Sequence, residues 1–229
     1  MKIATYNIHG CVGRDGVRDP QRVRAVLNEI DADIVALQEV ESLVNGELTL
    51  ELLSRGSPWI PLAGYTLFRR SVHYGNALLS KLPVVWFERL DLSVRGREPR
   101  GAINALLGER GQSIQVIATH LGLRPQERRR QTNRLIAHLN RPSITDEAET
   151  TVLLGDLNEW FLWGRPLRWL ADHFAHPLHS PATFPAGRPL LALDRIWVQP
   201  HHRVRHTQVW RSDLADVASD HLPLYCELG

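Results

Sequence analysis

The chain has 229 residues, 43% of them apolar, and a formal net charge of +2. That suffices to bury a sizeable core in one domain spanning residues 1–229, and the weak overall charge is no argument for a polyanionic partner. No low-complexity tract, linker-like composition or fixed-period repeat is present, which excludes a solenoid or a tethered pair of modules. The N-terminus opens on a strand-like segment without the layout of a secretory signal, and no apolar stretch reaches the length of a membrane span. The expectation is a soluble cytoplasmic monomer. Cys11 and Cys226 are too few for a disulfide framework and lack metal-ligand spacing, in agreement with a reducing compartment. Among the 27 basic residues only Lys2 and Lys81 are lysines. Coding composition explains that skew as readily as a need for bidentate phosphate contacts.

A first strand, Lys2 to Asn7, leads through a Gly- and Asp-rich loop to a helix with Asp19 as N-cap and Pro20 as its first residue. Val23, Val26, Leu27 and Ile30 then follow the spacing of one buried helical face. Ile34 to Leu37 is a continuous apolar strand ending at Gln38-Glu39. After an irregular stretch from Asn45 to Gly64, short strands dominate: Tyr65 to Arg70, Gly75 to Ser80, Val84 to Leu90, Ala102 to Gly108 and Ser113 to His120. Glu109-Arg110-Gly111-Gln112 fits a hairpin turn. A second helix runs from about Pro125 to Leu139 with Leu135, Ile136 and Leu139 as apolar contacts, and Arg128, Arg129, Arg130 and Arg134 make a basic face. That face reads either as a solvated surface or as a track for a nucleic-acid backbone. The strand Thr151 to Leu154 precedes a Trp-rich segment with a short helix near Pro166 to Leu170. Strands at Arg195 to Val198, Val204 to Val209 and Leu222 to Leu228 close the chain. Many strands with few helices in mixed order predict an α/β fold of packed sheets rather than a doubly wound parallel sheet.

The polar residues fall in a pattern. Asn7, Glu39, His120 and the pair Asp156/Asn158 each follow an apolar strand, whereas Asp194 and Asp220-His221 each precede one. If the later strands run antiparallel to the earlier ones, all of these groups crowd one edge. Several carboxylates together repel unless a cation sits among them, and oxygen-rich donors suit Mg²⁺ or Mn²⁺. Gly155 permits close backbone approach at the end of its strand. Taken alone, Asp156-Leu157-Asn158 is as consistent with a turn or helix cap as with a phosphate-chemistry site.

Seven segments in order resemble the motifs of the endonuclease/exonuclease/phosphatase superfamily. They are Thr5-Tyr6-Asn7-Ile8-His9-Gly10, Leu37-Gln38-Glu39-Val40, Gly75-Asn76-Ala77-Leu78-Leu79-Ser80, Thr119-His120-Leu121, Gly155-Asp156-Leu157-Asn158, Leu193-Asp194-Arg195-Ile196 and Ser219-Asp220-His221-Leu222-Pro223. The resemblance implies a deoxyribonuclease I-like four-layer α/β sandwich, two packed mixed sheets flanked by helices. It also implies roles. Glu39 would be a direct Mg²⁺ ligand, with Asn7 and Asp220 helping to hold the metal or its waters. Asp156 would align or deprotonate the attacking water, and Asn158 would orient it or bind a phosphoryl oxygen. His221, fixed by Asp194, and His120 would donate hydrogen bonds to the developing charge. Arg100 resembles a family arginine near the phosphate but fits a structural salt bridge equally well. Asn76 fits either a phosphate contact or support for His120.

His9 departs from the apurinic endonucleases, which carry an acid there. The substitution argues against DNA repair and allows a metal that accepts nitrogen, such as Mn²⁺. With its other histidines, the chain looks more like the deoxyribonuclease, sphingomyelinase and inositol-phosphatase branches. Trp160, Phe161, Trp163 and Trp169 either wall the pocket or pack in the core. The leading expectation is a divalent-metal-dependent hydrolase of a phosphodiester or phosphomonoester, with a small molecule or lipid headgroup preferred as substrate. A nuclease on DNA or RNA is the alternative, and a non-catalytic binding module that kept the fold is the third.

Overall fold

Side-chain alternation along the strands dictates the layering. In β1 (Lys2–Asn7) and β2 (Ile34–Glu41), Ile3, Ile34 and Ala36 enter one core cluster and Ala4, Tyr6, Val35 and Leu37 another, all of them buried. Both faces of these strands therefore need cover. α1 (Pro20–Ile30) and α2 (Thr49–Ser54) cover the outer face through Val23, Val26, Leu27, Ile30, Leu50 and Leu53. The computed structural model describes residues 1–44, 46–69, 71–108, 113–141, 148–175 and 180–229.

The inner face meets a second sheet. The first sheet has the order β12 (Val204–Val209), β13 (Leu224–Leu228), β1, β2, β6 (Val72–Ser80), β5 (Ile60–Arg69). The second runs β11 (Asp194–Gln199), β10 (Thr150–Asp156), β9 (Ile114–His120), β8 (Gly101–Leu107), β7 (Val84–Asp91). Between them lie Ile103, Ala105, Val116, Ala118, Val152 and Leu154 with the inner residues of β1 and β2. Each fully buried Leu, Ile or Val there contributes roughly 1.5–3 kcal/mol. The outer face of the second sheet packs Ile117, Leu153 and Trp197 against Leu135 of α3 (Pro125–Leu139) and Leu167, Leu170 and Phe174 of α4 (Arg165–Phe174). The result is helices, sheet, sheet, helices. It is the α/β sandwich expected from the sequence.

Strand direction sets the functional edge. β1 and β2 are parallel, as are β9 and β10, while β13 runs antiparallel to β1 and β11 antiparallel to β10. The carboxyl ends of the first four strands therefore lie beside the segments that enter β11 and β13.

Several boundaries differ from the sequence reading. The stretch from Asn45 to Gly64 contains β4 (Glu47–Leu48), which pairs with β3 (Leu43–Val44), then α2 and the start of β5. Turn-like Gly and Ser residues around a single helical turn hide its periodicity. β2 and β10 run on through Glu39 and Asp156, so these acids sit within strands and not just beyond them. The last strand starts at Leu224, two residues later than read, and a short helix α5 (Ala215–Ala218) precedes it. Asp19 caps α1 as expected, its carboxylate accepting from the Gln21 and Arg22 N–H groups. The turn read at Glu109-Arg110-Gly111-Gln112 lies outside the described residues.

Gly155 has φ +144°, and a Cβ there would lie 1.8 Å from the Thr119 carbonyl oxygen on β9. Gly155→Ala is expected to destabilise the fold by roughly 3 kcal/mol or more, from dihedral strain plus overpacking. A shift of the urea midpoint reads this directly, and an unchanged midpoint would contradict the close approach.

Candidate active site

Three site residues occupy one register row. Asp156 at the end of β10 pairs with His120 of β9 on one side and with Asp194 of β11 on the other. The first sheet supplies the opposite wall through Asn7 at the end of β1 and Glu39 on β2. Glu39 stands where the β2–β6 register slips between Leu37 and Val40, with φ +58°. A bulge re-aims the side chain it carries, and this left-handed backbone costs a non-glycine residue about 1–3 kcal/mol. Asn158 is also left-handed, at φ +50°, and its N–H turns back to Asp156 Oδ1 at 2.9 Å.

Hydrogen bonds tie the two sheets together at this edge. Asn7 Nδ2 donates to Glu39 Oε1 and to Asp156 Oδ2, each at 3.0 Å. Its oxygen accepts from the His9 N–H at 3.1 Å, so in this arrangement Asn7 spaces the two carboxylates with its amide nitrogen. Ser219 Oγ donates to the Asn7 carbonyl at 2.7 Å, fixing the segment that carries Asp220 and His221 to β1. His221 Nδ1 lies 2.8 Å from Asp194 Oδ2, which also accepts from Thr183 Oγ1 at 2.6 Å. The Phe184 ring packs on the His221 ring with centroids 4.8 Å apart.

Arg100 settles the tautomer of His120. Arg100 Nη1 lies 3.1 Å from His120 Nδ1, and a guanidinium can only donate, so Nδ1 accepts and Nε2 carries the proton of a neutral ring. Nε2 is 3.0 Å from Asn158 Nδ2, which already donates to the Leu121 carbonyl at 2.9 Å. With its proton on Nε2, His120 faces Asp156 Oδ2 at 3.5 Å as well as the Asn158 amide, so two donors lie side by side next to the carboxylate. An oxyanion placed there accepts from both.

Electrostatics push the neighbouring groups apart. Burial, then the nearby charges of Arg100 and His221, hold His120 well below the ordinary histidine range. Burial likewise raises Asp156, and repulsion from Asp194 adds to it, bringing the carboxyl to about 6. Burial alone would lower His221, but Asp194, Asp156 and Asp220 together outweigh it and hold the ring cationic up to about 10. The edge thus combines a poised carboxylate, a neutral histidine and an imidazolium. Asp194 Oδ1 is buried and has no hydrogen-bond partner among the described residues.

The remaining expected residues are more scattered. Asn76 is buried and donates to the Gly101 carbonyl at 3.0 Å, beside Arg100, so it reaches His120 only through that segment. Arg100 is buried, with Glu98 at 3.2 Å and His120 Nδ1 at 3.1 Å, which supplies the salt bridge, one of the two readings weighed for it. The His9 side chain is exposed, with Nδ1 3.9 Å from Asp220 and 3.2 Å from the Val12 carbonyl. Trp160, Phe161 and Trp163 are exposed and Trp169 is half-buried, which overturns core packing for the first three. Arg128 leaves the basic face expected of it. It is buried, with both nitrogens of its fork on Glu159 at 3.2 Å. Thr183, Phe184 and Glu159 escaped the sequence reading, because loop residues distant in the chain carry no periodic signal of a shared site.

Fold and polar edge together define a deoxyribonuclease I-like α/β sandwich with a cluster of charged and polar side chains at one end of its sheets. The chain belongs to the endonuclease/exonuclease/phosphatase family, whose model matches residues 4–221, and that family comprises metal-dependent phosphoesterases, nucleases and phosphatases among them. It is 32% identical over 250 aligned residues to the Escherichia coli K12 protein named "Uncharacterized protein YbhP", covering 100% of this chain and 96% of that one. Among solved structures it resembles the mannosyl-6-phosphatase Bt3783 of Bacteroides thetaiotaomicron, with TM-score 0.75, 17% identity and coverage of 100% and 99%. It also resembles D. rerio TDP2 complexed with a single-strand DNA product, with TM-score 0.70, 17% identity and coverage of 99% and 97%.

Proposed function

We propose that this protein hydrolyses a phosphate ester by in-line attack of water, with a small molecule or a lipid headgroup as the preferred substrate. The observation that carries the reading is the convergence on Asp156 of Asn7, His120, His221 and the Asn158 N–H, with Glu39 held beside it through Asn7. Asp156, poised near neutrality, aligns the attacking water and accepts its proton. His120 Nε2–H and the Asn158 amide bind a phosphoryl oxygen, and the His221 imidazolium places positive charge against the charge that builds there. Asp194 keeps His221 oriented and protonated.

The donor chemistry fits a hard divalent cation, because carboxylate oxygens dominate this edge and repel one another without one. Glu39 would hold Mg²⁺ or Mn²⁺, with Asn7 and Asp220 helping to hold the ion or its waters. Asp156, Asp194 and His221 also bring donor atoms within 4.8 Å of one another. Asp194 Oδ2 is already taken by His221 and Thr183, and the His221 imidazolium offsets one of the two carboxylate charges, so that trio is the weaker cradle. When bound, the cation would supply positive charge to the phosphoryl oxygens.

The exposed apolar residues that follow Asn158 support a substrate with an apolar part over an extended nucleic-acid duplex. A panel of soluble phosphomonoesters and diesters, phospholipids, plasmid and single-stranded DNA, each with Mg²⁺, Mn²⁺ or EDTA, tests the reading. Turnover on a small or lipid ester that EDTA abolishes is the expected result. Cleavage confined to nucleic acid, with steep salt dependence, would transfer the site to the nuclease reading. No turnover on any substrate would leave a binding module.

A further inference from the structure

We propose that the rim beside the catalytic edge docks this protein on an anionic phospholipid bilayer. Leu123, Trp160, Phe161, Leu162 and Trp163 are each between 52% and 70% exposed, a dense apolar group for two short loops. Tethered loops of this kind mark an interaction site, whereas single exposed apolar residues do not. The two loops are fastened to one another. The buried Arg128 donates from Nη1 to the Leu123 carbonyl at 2.6 Å and pairs with Glu159, whose Oε1 in turn accepts from the Phe161 N–H at 3.3 Å. Phe161 and Trp163 support one another, with ring centroids 5.2 Å apart. The group is therefore held out in solvent by a buried ion pair.

Positive charge borders it. Next to Leu123 opens a cleft of about 490 Å³ lined by Arg95, Arg97, Arg124, Arg129 and Arg130. None of these five guanidinium groups makes an ion pair among the described residues. Of the nearby carboxylates, Glu159 pairs with Arg128 and Glu98 with Arg100, while Glu127 also lines the cleft, buried and accepting from the Arg124 N–H and the Gln131 amide, so five arginines face one carboxylate. Interfacial Trp and Phe flanked by unneutralised arginine match the headgroup region of an anionic membrane. Trp160, Phe161 and Trp163 are rings on which bases can stack, which makes a single-stranded nucleic acid the competing occupant, but two of the three pack on one another and Leu123 and Leu162 add apolar bulk that a bilayer takes up and a strand does not use. A second copy of this chain would set the same arginines against one another across a two-fold contact. Asn158 lies two residues before Trp160 and donates to the Leu121 carbonyl, two residues before Leu123, which sets the phosphate-binding edge beside both loops. Only the choice of a lipid as substrate rests on the function proposed above; docking itself does not.

Flotation with vesicles of phosphatidylcholine alone, or mixed equally with phosphatidylglycerol, tests the proposal. The native chain is expected to float with the mixed vesicles, with a blue shift of tryptophan emission. The triple variant Phe161→Ser/Leu162→Ser/Trp163→Ser is expected to lower partitioning at least about tenfold with an unchanged melting temperature, because these side chains are exposed. Arg95→Gln/Arg97→Gln/Arg129→Gln/Arg130→Gln is expected to remove the preference for the anionic vesicles. Absence of flotation, or flotation indifferent to both variants, would overturn the proposal. So would binding of a single-stranded oligonucleotide, or self-association in sedimentation, that the triple variant abolishes while no vesicle binds. Glu39→Gln should float like the native chain; vesicle binding without turnover on any ester would end the functional reading and leave the docking surface in place.

Discussion

Glu39→Gln is expected to leave a folded protein whose phosphoester turnover falls at least about a thousandfold. The substitution preserves size and the left-handed backbone of the β2 bulge at φ +58°, and it removes only the charge. Glu39 and Asp156 share the Asn7 amide at 3.0 Å each, so losing one negative charge relieves repulsion and the melting temperature should hold or rise. The affinity for Mn²⁺, read by calorimetry or electron paramagnetic resonance, should fall in parallel. Full turnover in this variant would remove Glu39 from the metal assignment.

His221→Ala carries the other large effect. Turnover is expected to drop by roughly a hundredfold to ten-thousandfold, the range for removing a positioned proton donor or oxyanion stabiliser. Stability should also fall, by about 3–5 kcal/mol, because Asp194 is left buried without its cationic partner at 2.8 Å. The sign of the pH dependence follows from the raised value of the ring. The pair's stabilisation is complete below the ordinary histidine value of 6.5 and is lost as pH rises through about 10. The native protein, unlike the variant, should therefore lose stability across that window. Asp194→Asn separates folding from charge, since it keeps the ring in place. Its His221 titration, followed by NMR of the ring protons, should drop toward the ordinary range, and turnover should drop with it. A native-like titration and turnover in Asp194→Asn would remove the pair from the proposed mechanism.

Much of this edge was legible in the sequence because buried strands read as apolar runs and the polar residues at their ends stand out. Ile34 to Leu37 followed by Glu39, and Val152 to Leu154 followed by Asp156, could be placed without coordinates. What the runs do not encode is register. That Asp156 lies level with both His120 and Asp194 depends on how three strands slide past one another, and a single-residue slip would turn each side chain to the opposite face. The bulge at Glu39 left no mark either, since Leu-Gln-Glu-Val carries none of the glycines that usually announce a left-handed backbone.

Arg128 and the Trp160–Trp163 loop mark the limits of pattern reading in opposite directions. An arginine among arginines on a helix reads as surface, yet it is buried because Glu159 supplies its counter-charge from another loop. The aromatic residues read either as core or as a pocket wall, and three of them are exposed because the sheet beneath is already closed by α3 and α4. By itself the sequence determined α1, α3, α4 and most of the strands of the two large sheets, the two-sided burial of the central strands and the set of polar residues at their ends, all of which follow from local periodicity and side-chain chemistry. The tertiary structure alone decided the row through Asp156, the tautomer of His120, the cationic state of His221 and which basic and aromatic side chains face water. Each of these depends on distances between segments far apart in the chain and on what has already filled the space between them.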